Sequence, residues 1–156
     1  MTEPETNDEK IVRFTLLIKR NPNSSVNYYQ RGNAYLNKGQ VKLALTDFNK
    51  AIELNEKKAL YYYVRGMLFL KYGNQRKALI DLDIATILDP DALLFLTGRA
   101  DALQKNGKLD KALADCNKVL KKERKYKLAL YVRRRVYKSM GKEALAKADE
   151  ELIEEI

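Results

Sequence analysis

The chain of 156 residues contains no histidine and no tryptophan, and it has a single cysteine, Cys116. Without histidine it lacks the commonest general base and the commonest neutral metal ligand. One cysteine excludes an internal disulfide framework and fits a reducing compartment, so a cytoplasmic location is expected. With 7 glycines and 3 prolines among abundant Leu, Ala, Lys and Glu, the composition points to helices. No apolar run reaches the length of about 18 residues that a membrane-spanning helix needs. The opening segment MTEPETNDEK is acidic and lacks the basic and apolar regions of a signal peptide; residues 1–7 are expected to be disordered. There is no phosphate-cradling glycine loop, no Ser-His-Asp set and no cluster of metal ligands. Asp81 and Asp83 stand two apart, so on a helix they point different ways. Neither an enzyme, nor a cofactor, nor a metal site is expected.

What the chain does have is a period. Gly39, Gly73, Gly107 and Gly141 recur every 34 residues, with Ala44, Ala78, Ala112 and Ala146 five positions after them. Asp47, Asp81, Asp115 and Asp149 follow those alanines by three, and Arg31, Arg65, Arg99 and Arg133 precede the glycines by eight. These columns define repeats over 25–58, 59–92, 93–126 and 127–156, the last one truncated.

Each repeat reads as two helices. The first carries apolar residues at helical spacing, such as Tyr28, Tyr35 and Leu36, or Tyr62, Phe69 and Leu70. The column glycine then ends that helix, because the residue after the last turn often takes the left-handed conformation. In the second, VKLALTDFNKAIEL, the residues Ala44, Leu45, Phe48, Ala51 and Ile52 fall on one stripe. Pro22 and Pro90 mark helix stops.

At these positions the sequence resembles the tetratricopeptide repeat (TPR) family, in an Arg-Gly variant. The period and the order aromatic, small residue, aromatic, then Ala-x-x-x-Phe, carry the resemblance. Repeat one offers Tyr28, Gly32, Tyr35, Ala44, Phe48 and Ala51; repeat two offers Tyr62, Gly66, Phe69, Ala78, Leu82, Ala85 and Pro90. The resemblance implies an all-α fold, a right-handed solenoid of antiparallel helix pairs forming a single domain over 8–156. An N-terminal helix over 8–24, with Phe14, Leu17 and Ile18, would cap its open end. The pattern is broken at Glu56 and Arg124, which replace proline, so those junctions are expected to be looser. It is also broken at Arg134 and Glu150, which replace a small and an aromatic residue; the last helix is expected to pack as a cap with one polar face.

The Arg and Asp columns lie 16 residues apart, at similar heights on the two helices of a hairpin. Structural ion pairs Arg31–Asp47, Arg65–Asp81, Arg99–Asp115 and Arg133–Asp149 are expected, with the glycine beside the arginine allowing close approach. An arginine row that binds a ligand is the alternative, and the matched aspartates weigh against it.

Other columns vary, as a partner-binding surface does. Asn33, Met67, Asp101 and Arg135 share one, and Tyr29, Tyr63, Thr97 and Tyr131 another. A third holds Leu36, Leu70, Gln104 and Lys138. By resemblance these face the concave groove in which TPR proteins hold peptides. The expected partner-binding set is Tyr29, Asn33, Tyr63, Met67, Asp101, Lys105, Tyr131, Arg135 and Lys138, although tyrosines so placed also suit the seams between helices. The carboxylate clamp with which some TPR domains grip chaperone tails is excluded: its positions hold Tyr29, Asn33, Val64, Leu94 and Gly98, and Asn33 alone agrees.

Residues 104–147 hold 15 Lys or Arg against 4 Asp or Glu, while the last nine residues carry five acids. Arg135, Lys138 and Lys105 are expected to make a positive pocket at the polar end of the groove. The reading is a non-catalytic protein–protein interaction scaffold that takes a peptide or helix segment, with an acidic one among the candidates, in the concave groove, with no membrane role and no assigned oligomeric state. The alternative is RNA or another polyanion on the basic half, where Lys121, Lys122, Arg124, Lys125 and Lys127 cluster.

Overall fold

The computed structural model describes residues 4–156, and these hold nine helices and no strand. The first is α1 (Asn7–Arg20), followed by α2 (Ser25–Asn37) and α3 (Val41–Leu54) of repeat one, and α4 (Ala59–Lys71) and α5 (Gln75–Leu88) of repeat two. Repeat three supplies α6 (Leu93–Lys105) and α7 (Leu109–Lys122), and repeat four α8 (Lys127–Ser139) and α9 (Glu143–Glu154).

Local chemistry sets these boundaries. Thr6 caps α1 in a reciprocal box: Glu9 N–H donates to Thr6 Oγ1 at 3.3 Å, and Thr6 N–H donates to Glu9 Oε2 at 2.8 Å. Glu5 accepts two hydrogen bonds from Arg13, at 2.7 and 2.8 Å. The expected disordered segment 1–7 thus falls in part on residues 1–3, which lie outside the described residues, while Glu5 and Thr6 are tied to α1. That helix stops at Arg20 and does not fill 8–24, because Asn21 leaves helical geometry ahead of Pro22. The glycines that close the first helices all have positive φ, between 71° and 80°, in the region that costs other residues a steric clash. The stops after the second helices are alike with or without proline: Asn55, Asp89 and Glu123 have φ of −152°, −141° and −135°, and ψ of 86°, 86° and 93°.

The chain divides into two compact units, one ending at Tyr61 and one of Tyr62–Ile156, where the repeat pattern alone gives a single domain over 8–156. In a repeat protein each repeat touches only its neighbours, so a division falls close to a junction between repeats. In the first unit α2 packs on both α1 and α3. Its core holds Phe14, Ala34, Ala44, Phe48 and Ala51, and Ser25 shares a hydrogen bond of 3.2 Å with Tyr61. In the second unit the core runs as successive clusters. Leu70, Ala78 and Leu82 meet Ala102; Ala100 and Cys116 meet Val132 and Val136; Leu96 and Val119 meet Leu130 and Ile153.

The arginine and aspartate columns meet as forked pairs in which Nε and Nη2 donate to the two carboxylate oxygens. The distances are 2.8 and 2.8 Å for Arg31–Asp47, 2.7 and 2.8 Å for Arg65–Asp81, 2.7 and 2.7 Å for Arg99–Asp115, and 2.9 and 2.5 Å for Arg133–Asp149. All four aspartates are buried. The bond to Asp47 raises the pKa of Arg31, and those to Asp115 and Asp149 do the same for Arg99 and Arg133. A further link escaped the column count. Nη1 of Arg31 donates to Thr15 at 3.2 Å, that of Arg133 donates to Asn117 at 2.9 Å, and that of Arg99 lies 3.5 Å from Asp83. Each of these partners stands sixteen residues before its arginine, Thr15 on α1 and the other two on the preceding helix pair. One guanidinium therefore ties its own hairpin and the one before it.

The glycine beside the arginine sits where the two helices of the hairpin approach closely. A Cβ on Gly32 would come within 2.7 Å of Phe48 Cε1, and one on Gly66 within 2.9 Å of Leu82 Cγ. The small slot thus makes room for the large side chain sixteen residues on. Repeat three has Ala100 opposite Cys116 and repeat four has Arg134 opposite Glu150, joined by a hydrogen bond of 2.5 Å. The two departures in repeat four therefore answer each other as a charged pair. On α9 Ala146, Asp149 and Ile153 face the core, while the outer face carries Glu151 and Glu154 together with exposed Leu145.

Cys116 lies fully buried among Ala100, Ala112 and Val136, and burial, with Asp115 adding to it, pushes its thiol up to about 12. The thiolate is the nucleophile, so the folded protein is expected to leave Cys116 unmodified by a thiol reagent at pH 8. Full modification should appear only in denaturant. Rapid labelling of the folded protein would show that this cluster opens.

Candidate functional site

The 34-residue period puts equivalent side chains on successive first helices, so columns of the sequence become rows across α4, α6 and α8. In the second unit these rows enclose a cavity of about 350 Å³. Tyr63 and Met67 line it from α4, Asp101 from α6, and Tyr131 and Arg135 from α8. Five residues of the expected set thus meet in one site. Lys105 stands just outside, 3.4 Å from Asp101, and Lys138 is exposed and does not line the cavity. Tyr29 and Asn33 belong to α2 in the first unit. There Tyr29 stacks on Tyr61 at 5.1 Å between ring centroids and tilts against Phe48 at 6.2 Å, which commits it to a seam between helices. Leu70 is buried in the core as well and forms no part of a groove.

The floor and walls are apolar. Leu94 and Leu128 line the cavity while 37% and 52% exposed, and Val132 and Thr97 complete its sides. Tyr63 leans on Phe95 at 5.1 Å, and burial raises the pKa of its hydroxyl, with Tyr126 and Asp101 adding to the shift. Gly98 is what keeps the space open beside it. A Cβ at this position would lie 2.7 Å from Tyr63 Cε2 and 3.2 Å from Met67 Sδ, so any larger residue displaces the wall.

The charges differ from the positive pocket expected of Arg135, Lys138 and Lys105. Asp101 receives both Arg135, through a hydrogen bond, and Lys105. Arg134 reaches the cavity too, with its guanidinium 5.6 Å from the Tyr131 ring and its Nη1 on Glu150. The rim is therefore close to charge balance. The reason lies in the period itself: Asp101 and Arg135 occupy the same column one repeat apart, so they face each other on adjacent helices. One donor is left over, since Nε of Arg134 is buried without a hydrogen-bond partner.

Reading the sequence missed Leu94, Leu128, Gly98 and Arg134 as parts of this site. The leucines had a signal, since Val26, Leu60, Leu94 and Leu128 form an apolar column. Gly98 had one too, standing where the neighbouring repeats carry Val64 and Val132.

Residues 27–58 match the family model described as tetratricopeptide repeat. Solved structures with the same fold cover nearly the whole chain. MamA from Desulfovibrio magneticus RS-1 is 18% identical, with a TM-score of 0.86 over 96% of this chain and 84% of its own. The chain has the tetratricopeptide repeat fold. YrrB, described as a TPR protein with an unusual peptide-binding site, is 20% identical, with a TM-score of 0.80 over 94% of this chain and 76% of its own. The TPR domain of Arabidopsis OM64 is 27% identical, with a TM-score of 0.68 over 74% of this chain and 95% of that domain. No curated protein matches the sequence. Among the described residues no group of His, Cys, Asp and Glu side chains could hold a metal ion. No helix in them is long and apolar enough to cross a membrane.

Proposed function

We propose that the chain is a non-catalytic protein-interaction module, and that its second unit takes a peptide segment of another protein in the cavity between α4, α6 and α8. The observation that carries this reading is the cavity itself: an apolar chamber with exposed leucines, aromatic walls and a few convergent polar groups. Its size suits one or two apolar side chains of a peptide. YrrB, which shares the fold, is itself described by a peptide-binding site. Because Asp101 already engages Arg135 and Lys105, an apolar anchor matters more here than acidity of the peptide. Any preference for acidic flanks rests on Lys138 and the cations beyond the rim.

Selection of peptides from a random display library on the intact protein tests the reading. Recovered peptides should share one or two large apolar residues at fixed spacing, with flanks that vary. Tyr131→Ala should weaken them by about tenfold or more, as expected for a central aromatic contact. Gly98→Val should do the same by moving Tyr63 into the chamber, with the helical circular dichroism unchanged. Reversing charge at Lys138 should alter mainly the salt dependence of association. Peptides that bind Gly98→Val as well as the parent would place the site elsewhere. Tight, steeply salt-dependent binding of a single-stranded RNA, with no peptide recovered, would favour the polyanion reading.

A further inference from the structure

Comparison of the second helices within this one chain exposes an anomaly far from the cavity. Four positions recur on the outer face of each. In α3 they hold Thr46, Lys50, Glu53 and Leu54, and in α7 Ala114, Lys118, Lys121 and Lys122. In α5 the same positions hold Ile80, Ile84, Ile87 and Leu88. Their spacing of four, three and one makes a continuous stripe along the helix. The stripe is not absorbed by the core. Ile80 is 55% exposed and Ile87 75%, and Leu88 is exposed as well. The opposite side of α5 already buries Ala78, Leu82 and Ala85 in the core. A helix apolar on both faces is one that expects cover on both.

The neighbouring helix says what the cover should be. Lys118 of α7 donates to the carbonyl of Pro90 at 2.7 Å, and Lys122 pairs with Asp91 just after α5. The lysine row of α7 therefore reaches the end of α5, where Ile87 and Leu88 stand. Lys121 projects from the same row, and Arg124 and Lys125 continue it past the helix end. Arg76 and Lys77 stand at the other end of the stripe. Asp89 and Asp91 are the acids nearest the stripe's end, and Asp91 already has Lys122.

We propose that the outer face of α5 and α7 docks an acidic amphipathic helix of a partner protein. Its apolar residues, recurring every three or four positions, lie along Ile80, Ile84, Ile87 and Leu88. Its acidic edge meets Lys118, Lys121 and Lys122. Apolar burial supplies the affinity, and the lysine row fixes the direction and lateral placement of the incoming helix. This surface is separate from the cavity between α4, α6 and α8, so the protein can hold two segments at once.

The test uses the 156-residue chain, isotope-labelled, and a synthetic 14-residue helical peptide carrying leucines at positions 1, 4, 8 and 11 with glutamates along one flank. Titration should shift the amide signals of Ile80, Ile87, Lys118 and Lys121 and leave those of Tyr63 and Tyr131 in place. Ile80→Asn with Ile87→Glu should weaken the peptide by about tenfold or more, the size expected for central apolar anchors. Because both side chains are exposed, the variant should keep its fold. Charge reversal at Lys118 and Lys121 should lower the association rate and its salt dependence. A peptide with the glutamates changed to lysines should bind more weakly. Shifts confined to α4, α6 and α8 would overturn the proposal, as would an affinity unchanged in the isoleucine variant. So would binding of anionic phosphatidylserine vesicles without binding of the peptide, which would mark the stripe as a membrane contact. A concentration-dependent dimer that Ile87→Glu abolishes would overturn it in favour of a second copy of this chain.

Discussion

Replacing Asp47 by alanine should lower the thermal midpoint by about 6–12 °C, the equivalent of about 3 kcal/mol in a chain of this size. The carboxylate is buried and accepts two hydrogen bonds of 2.8 Å from Arg31, whose side chain is itself 17% exposed. After the substitution the guanidinium keeps Thr15 and the faces of Tyr28 and Tyr35, at 5.7 and 5.8 Å, but it loses its counter-charge. An unpaired charge held between helices costs more than the pair contributes. The second substitution follows from that asymmetry: Arg31→Met added to Asp47→Ala should recover a large part of the loss. If the single and double variants melt alike, the charge of Arg31 is not what Asp47 balances.

Phe48→Ala should cost more, about 3–5 kcal/mol, because the ring is fully buried and its removal leaves a cavity. The informative variant is Gly32→Ala, whose sign should depend on Phe48. In the parent protein the new methyl would lie 2.7 Å from Phe48 Cε1 and 2.9 Å from Cδ1. Overpacking of that kind costs about 1–3 kcal/mol, against about 1 kcal/mol gained from the better helix former. In the Phe48→Ala background the methyl enters the vacated space, and the same change should stabilise by about 1 kcal/mol. Repeat three shows the destination, since Ala100 stands there opposite Cys116. Chemical denaturation of the four proteins completes the cycle. Additive effects would mean that the small slot and the aromatic slot do not share one volume.

The architecture was readable because it rests on identities at a fixed period. Gly39, Gly73, Gly107 and Gly141 announce the turn by residue type, since few others take positive φ cheaply. Arg and Asp at a constant separation announce a pair in the same way. What identity counting could not see are positions whose side chains change while their job stays the same. Thr15, Asp83 and Asn117 each face an arginine of the following repeat, but one is a hydroxyl, one a carboxylate and one an amide. The cavity was half legible for a related reason. Variation among Asn33, Met67, Asp101 and Arg135 points to a surface, yet it does not say that Asp101 will spend its charge on Arg135. Tyr29 and Tyr63 share a column, and whether such a ring closes a seam or lines a chamber is decided by its neighbours. Tyr61 lies under Tyr29, whereas Gly98 leaves room beside Tyr63.

The arginine ladder carries an implication for ancestry. Every arginine in it pairs with a carboxylate sixteen residues ahead, and Arg31, Arg99 and Arg133 also meet a polar partner sixteen residues back, so the positions repeat with the 34-residue unit. Tandem duplication of such a unit, or its deletion, leaves each remaining arginine its aspartate and requires no new side chain to arise. An insertion between an arginine and its aspartate separates the two at once. A whole repeat can therefore be added or removed without breaking an arginine–aspartate pair, and the apolar stripe of α5 can be copied or lost without touching the scaffold that presents it.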